Sequence, residues 1–208
     1  MTNRPETTAR ARGEYHRRLL VLLVCALLVR LVTVVWSQGY IHSDDHFDTV
    51  GVAYEWQHGG FWGEDGNLRW KNQPAETIGR FPLYTLSLLA MLKLGAALGL
   101  ESLWQQMYLV RLLHALISLI PVWVAFAVTW RVTRNKGWAT LAGLVVALHF
   151  AMPFLGVRNL IEMVGGNLWL LVIYFYYRYR DEETSPWLFL AGVATGLAWM
   201  IRFQLAFA

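Results

Sequence analysis

Residues 42–47, His-Ser-Asp-Asp-His-Phe, set two adjacent carboxylates between two imidazoles directly after the first long apolar run of the chain. Charge at the mouth of a membrane helix is costly to desolvate, so its presence argues for solvation or for use, and a membrane-surface active site is the first expectation. Asp44 and Asp45 repel one another, which raises the proton affinity of one of them, while His46 or a nearby arginine would offset that effect. His42, Asp44 and His46 at i, i+2, i+4 could also hold a divalent metal, a spacing less diagnostic than two histidines flanking a glutamate on a helix. If the chain continues as a helix through Phe47–His58, then Asp44, Asp48 and Glu55 fall within about 40° of one another at 100° per residue. Phe47, Val50 and Tyr54 would then form the opposing apolar stripe, with Gly51 leaving room on the acidic face. A solvated acidic face of an interfacial helix would produce the same pattern.

The elements that must position this hexapeptide are membrane helices. Of 208 residues, 56% are hydrophobic and 15% charged, with eleven Trp, nine Tyr and ten Phe, a balance that a soluble domain of this size would not carry on its surface. The net charge of +4 is small and the arginines are dispersed, so nucleic acid is excluded as a partner. A single cysteine, Cys25, rules out an internal disulfide framework and is expected to pack within its apolar run. Residues 1–18 read as a basic cytoplasmic tail and 19–36 as the first span, a retained signal anchor because no small-residue cleavage site follows. Residues 37–104 then form a non-cytoplasmic loop: between Ser37 and Arg80 there are seven acids against three bases.

Further apolar runs cover about 82–100, 105–130, 138–155, 166–179 and 187–208. A crossing at 82–100 would put Arg131, Arg134 and Lys136 outside, with Arg178 and Arg180 after them, against the positive-inside bias. Lys93, Gly95 and Gly99 also weaken that segment, and a surface or re-entrant helix is the expectation. The fold class is therefore all-α and polytopic, a single transmembrane domain over 1–208 with further spans across 105–208. The last run reaches Ala208 with no polar flank, which points to the N-terminal part of a longer protein.

Four separated pieces resemble the glycosyltransferase family 22 mannosyltransferases of the GT-C superfamily. HSDDHF with DTVGVAYEWQHGG resembles that family's HPDE signature and downstream helix, with Ser43, Asp45 and Asp48 departing from it. RWKNQPAETIGRFPLY places Trp70, Arg80 and Pro82 as in the family's TWEW region, whose core is poorly kept. LGVRNLIEMVGGNL matches a segment through Arg158, Glu162 and more loosely Asn159, and Arg202 in GLAWMIRFQ stands where members often carry arginine.

The resemblance implies a GT-C-like fold and inverting transfer of a sugar, mannose above all, from a polyprenyl-phosphate donor to a glycolipid or glycan hydroxyl on the non-cytoplasmic face. It implies Asp44 as the base that takes the acceptor proton and Asp45 as an orienting group. His42, His46, Glu55, Trp70, Arg80, Arg158, Glu162 and Arg202 are the binding candidates, the arginines for the leaving phosphate. It implies no cofactor and disfavours the metal. The compartment would be a bacterial inner membrane or the endoplasmic reticulum, with membrane lipid as the surrounding partner.

Other polar residues have plainer readings. Arg30 and Arg111 are expected to snorkel or pair with loop acids, and His114 and His149 to fill polar niches between helices. Trp56, Trp62 and Trp70 suit sugar stacking or interfacial anchoring equally, and Tyr174, Tyr176, Tyr177 and Tyr179 read as a cytoplasmic aromatic belt. The competing class is a non-enzymatic transporter or assembly protein whose acidic loop binds a cation or partner. Transporters place ionisable groups near mid-bilayer and show internal repeats, whereas here the acids sit in a loop and no internal repeat is found.

Overall fold

The computed structural model describes residues 5–37, 46–61 and 83–202, and among them the regular structure is helical throughout. Helix α1 runs Pro5–Trp36; a π-helical turn, His46–Gly51, leads into α2, Val52–Gly59; α3 covers Leu83–Ala97. Then follow α4, Leu103–Ile117; α5, Leu119–Thr133; α6, Lys136–Leu148; α7, Ala151–Gly156; α8, Ile161–Glu182; and α9, Ser185–Ile201.

Local sequence sets the boundaries. Gly99 at φ 80° closes α3, with Leu100 N–H reaching Gly95 O at 3.0 Å and Gly99 N–H reaching Ala96 O at 3.0 Å, the paired bonds of a glycine-ended helix. Ser102 and Gln105 then form a reciprocal capping box that starts α4. Asn135 accepts from the N–H groups of Gly137 and Trp138 and starts α6. Pro186 stands in the first turn of α9, where its missing N–H is not needed.

Among the described residues two stretches, Gly13–Trp36 and Leu103–Thr133, are long and apolar enough to cross a membrane, the second being α4 and α5 joined at Ser118. Little of this apolar stretch of α1 is buried, and Leu20, Val24, Leu28 and Val32 project outward as an exposed apolar face. A solvated domain would not leave so large an apolar face uncovered, whereas lipid covers it without cost. Cys25 lies on this exposed side of α1 instead of packing inside. The expected span 138–155 is broken at His149 and Phe150 into α6 and α7. His149 is exposed there and not in an interhelical niche.

Contacts along α1 order the bundle. At its middle, Leu22 packs on Phe126 and Ala139; further on, Ala26 meets Val122 and Ala147; near its finish, Val34 meets Ala115 and Val157. Helices α4 and α5 thus run antiparallel to α1. Arg30 does not snorkel. It is fully buried and donates to Ser118 Oγ at 2.6 Å, Ala26 O at 3.1 Å, Ala147 O at 3.3 Å and Ser118 O at 3.3 Å, tying α1 to the α4–α5 break and the end of α6. A carbonyl-lined socket satisfies the guanidinium better than a long reach to the headgroups from mid-helix would.

At the finishing end of α1 a second core forms. Val50 and Trp56 pack with Leu88 of α3, Met107 of α4, Ile161 of α8 and Ile201 of α9. Helix α3 lies antiparallel to the first half of α4: a Cβ on Gly95 would meet Gln106, and Tyr84 Oη donates to His114 Nε2 at 2.9 Å. His114 Nδ1–H donates to Val110 O at 2.7 Å, which leaves Nε2 as the acceptor and fills the polar niche expected of this residue.

Candidate active site

The turn following the acidic hexapeptide differs from the expected continuous α-helix. Residues 46–51 form a wider π turn, in which each residue advances by a smaller angle and the helical wheel shifts. Thr49, Val50, Val52, Ala53 and Trp56 become the buried face, whereas Phe47 and Tyr54 are 43% and 39% exposed. The expected Phe47–Val50–Tyr54 stripe therefore keeps only Val50. Asp48 is half-buried and Glu55 exposed. Trp56 neither stacks on a ligand nor anchors at an interface; it is 2% exposed, against the Phe61 ring at 5.1 Å.

Helices α8 and α9 form an antiparallel hairpin that reverses at Glu183, φ 50°. Glu162 precedes that reversal by 21 residues and Arg202 follows it by 19, so about 30 Å of helix on each arm brings both to one level. There they form an ion pair. Glu162 occupies the first turn of α8 and Arg202 the C-cap of α9, the ends whose dipoles favour those signs of charge.

Arg158 lies one turn before Glu162, 8% exposed, with its guanidinium 4.3 Å from the Phe154 ring centre. Burial, and then the like charge of Arg111, push its pKa below the ordinary arginine value. Arg111 is 5% exposed, donates to Val34 O at 3.3 Å and sits 5.3 Å from the ring centres of both Trp104 and Tyr108. Two cations held near each other in low dielectric are stabilised by an anion placed between them. Arg111 was expected to snorkel or to pair with loop acids; it is instead buried between helices, where the Val34 carbonyl and two aromatic rings hold it. The signal was present: Trp104 and Tyr108 stand at i−7 and i−3, one helical face with the arginine.

The structure thus brings Arg158, Glu162 and Arg202 to the same end of the bundle as the π turn that follows the acidic pair. Glu55 makes no hydrogen bond or ion pair among the described residues. His42, Asp44, Asp45, Trp70 and Arg80 lie outside the described residues, as do Trp62 and Pro82, and of His46 only the backbone is described. Among the described residues no three His, Cys, Asp or Glu side chains gather as metal ligands.

The fold and the clustering define a class, a helical membrane protein with acid and arginine chemistry gathered at one end of its bundle. Residues 21–208 match the Alg9-like mannosyltransferase family, and the chain belongs to it; it is a membrane glycosyltransferase. No curated protein and no solved structure matches the chain.

Proposed function

We propose that this glycosyltransferase moves a mannosyl unit from a polyprenyl-phosphate carrier to a hydroxyl of a lipid-linked glycan, with inversion, as the N-terminal part of a larger GT-C module. The observation that carries the reading is the convergence of Arg158, Glu162 and Arg202 with the π turn at the finishing end of α1. Asp44 and Asp45 lie in the eight residues of sequence between Ser37 and His46.

In this reading Asp44 takes the proton of the acceptor hydroxyl as its oxygen bonds to the anomeric carbon from the face opposite the phosphate. The anomeric carbon–oxygen bond to phosphate breaks, and the polyprenyl phosphate leaves carrying the electron pair. Arg158, Arg202 and Arg80 stabilise that developing charge, with Glu162 holding Arg202 in place. Asp45, His42, His46, Glu55 and Trp70 serve to orient the acceptor and its sugar rings. The reaction needs no metal in this scheme.

The orientation follows from charge. Arg131, Arg134, Lys136, Arg178 and Arg18 gather at the starting end of α1, which supports a cytoplasmic position for that end and a non-cytoplasmic one for the acids. Helix α3 stands against the outer half of α4, with Tyr84 at the level of His114, which supports a surface or re-entrant α3. Transfer assays on the full-length protein test the base: Asp44→Asn should abolish transfer with expression unchanged, and undiminished product would overturn the assignment. Full activity in excess chelator is the expected result for a reaction that does not use His42, Asp44 and His46 as a metal site.

A further inference from the structure

The end of the bundle away from the candidate active site holds a cavity of about 460 Å³ between α1, α5 and α8, lined by Tyr15, His16, Trp130, Arg131, Arg134 and Arg178 among others. Its floor is apolar and aromatic: Ala127 is 1% and Tyr174 6% exposed. Its mouth carries the Arg134 guanidinium beside the His16 imidazole, both residues being exposed.

The cations are held by a framework that does not consume them all. Arg131 spans from α5 to α8, donating to Asp181 Oδ2 at 2.8 Å with Glu182 at 3.7 Å. Arg178 meets Glu182 at 2.6 Å, contacts Tyr174 Oη at 3.4 Å and lies 4.0 Å from the Trp187 ring centre. Glu14 is engaged by Arg18 and Lys136. Three permanent cations, Arg131, Arg134 and Arg178, line the cavity with no carboxylate among the lining residues, and the described ion-pair partners of the first and last are Asp181 and Glu182. Arg134 makes no ion pair among the described residues. It is the C-cap of α5 in the left-handed conformation, φ 54°, and its side chain stands at the rim of the cavity.

We propose that this cavity binds the phosphate headgroup of an anionic membrane lipid. The excess charge calls for an anion, and the Tyr15–Trp130–Tyr174 wall is what a site at the membrane–water boundary needs, where one end of the ligand is wet and the other apolar. Basic pockets between membrane helices suit phosphate headgroups for this reason. In this arrangement the lipid phosphate sits at Arg134 on the rim with its glycerol over Tyr174. The site uses none of the residues placed in the transfer reaction, and it stands or falls independently of that reaction.

The test uses the full chain in nanodiscs of phosphatidylcholine with a minority of phosphatidylglycerol, reading retained lipid by native mass spectrometry, and separately inorganic phosphate by calorimetry in phosphatidylcholine nanodiscs. Wild type should retain phosphatidylglycerol in preference to phosphatidylcholine, and Arg134→Gln should lower that retention about fivefold. Arg17→Gln removes the same charge from an exposed position on α1 outside the cavity and should leave retention unchanged. Arg178→Gln should lower retention too; because it also breaks the Glu182 pair, Arg134→Gln is the variant that decides. Heat on titrating inorganic phosphate that Arg134→Gln removes, with no preference for phosphatidylglycerol, would reassign the site to a soluble phosphate and overturn the lipid occupant. Equal loss in Arg134→Gln and Arg17→Gln, or no preference for either anion, would overturn the site altogether.

Discussion

Ser118→Ala is a sharp test of how a lone cation is held inside this bundle. Arg30 is fully buried, and the shortest of its four donations is the 2.6 Å bond from Nε to Ser118 Oγ. That hydroxyl donates in turn to Ala115 O at 2.8 Å, which aligns its lone pairs toward the guanidinium. A bond from a charged donor contributes about 1.5–3 kcal/mol, and losing it strands an N–H of a cation where water does not reach. The cavity left by one oxygen adds little. The expected cost is about 2 kcal/mol, roughly a 30-fold shift in the folding equilibrium. Reversible unfolding of the full chain in mixed micelles measures it, in the wild-type background and in Arg30→Met. In the second background the bond is already gone, so Ser118→Ala should cost under about 0.5 kcal/mol there. An equal cost in both backgrounds would refute the socket, because the hydroxyl would then be acting on something other than Arg30.

Other consequences follow from neighbouring geometry. A Cβ on Gly156 would lie 2.8 Å from Ser118 Cβ and 3.0 Å from its Oγ; since Arg30 holds Ser118 in place, Gly156→Ala should destabilise by about 1–3 kcal/mol. Gly192→Ala, which meets nothing within 4 Å, should by contrast be neutral or stabilising in the same melting series. Tyr84→Phe removes the donor to His114 Nε2 and should cost about 1–3 kcal/mol by denaturant titration; no change would mean that α3 does not depend on this bond. The Arg178 and Trp187 hydrogen bonds hold the Glu182 carboxyl below its ordinary value near 4.5. Its contribution is therefore present above that ordinary pKa and is lost as pH falls through the lower folded value, and Glu182→Gln should flatten the acid limb of melting temperature against pH. Glu162 and Arg202 keep 52% and 30% of their side-chain surface exposed, so Glu162→Gln should change stability by less than about 1 kcal/mol while reducing transfer in the activity assay.

Class, membrane embedding and family were legible in the residues alone. Apolar run length and composition are additive local properties, and the pieces around Asp44, Trp70, Arg158 and Arg202 stand in the family's order. The apolar run at 166–179 falls within the helix Ile161–Glu182, and the basic loop of Arg131, Arg134 and Lys136 falls at the break between two helices. Tertiary structure alone decided the rest. The π turn at 46–51 overrode the expected wheel because burying Trp56 and Val52 against α3, α8 and α9 outweighed the preference of Phe47 and Tyr54 for the core. Arg30 turned inward because three helices present carbonyls and a hydroxyl at one point, an arrangement that no window of sequence contains. The pairing of Glu162 with Arg202 and the approach of Arg111 to Arg158 join residues 40 and 47 positions apart. Residue types set which charges the chain carries; only the helix hairpin and the docking of α4 beside α7 decided which of them meet.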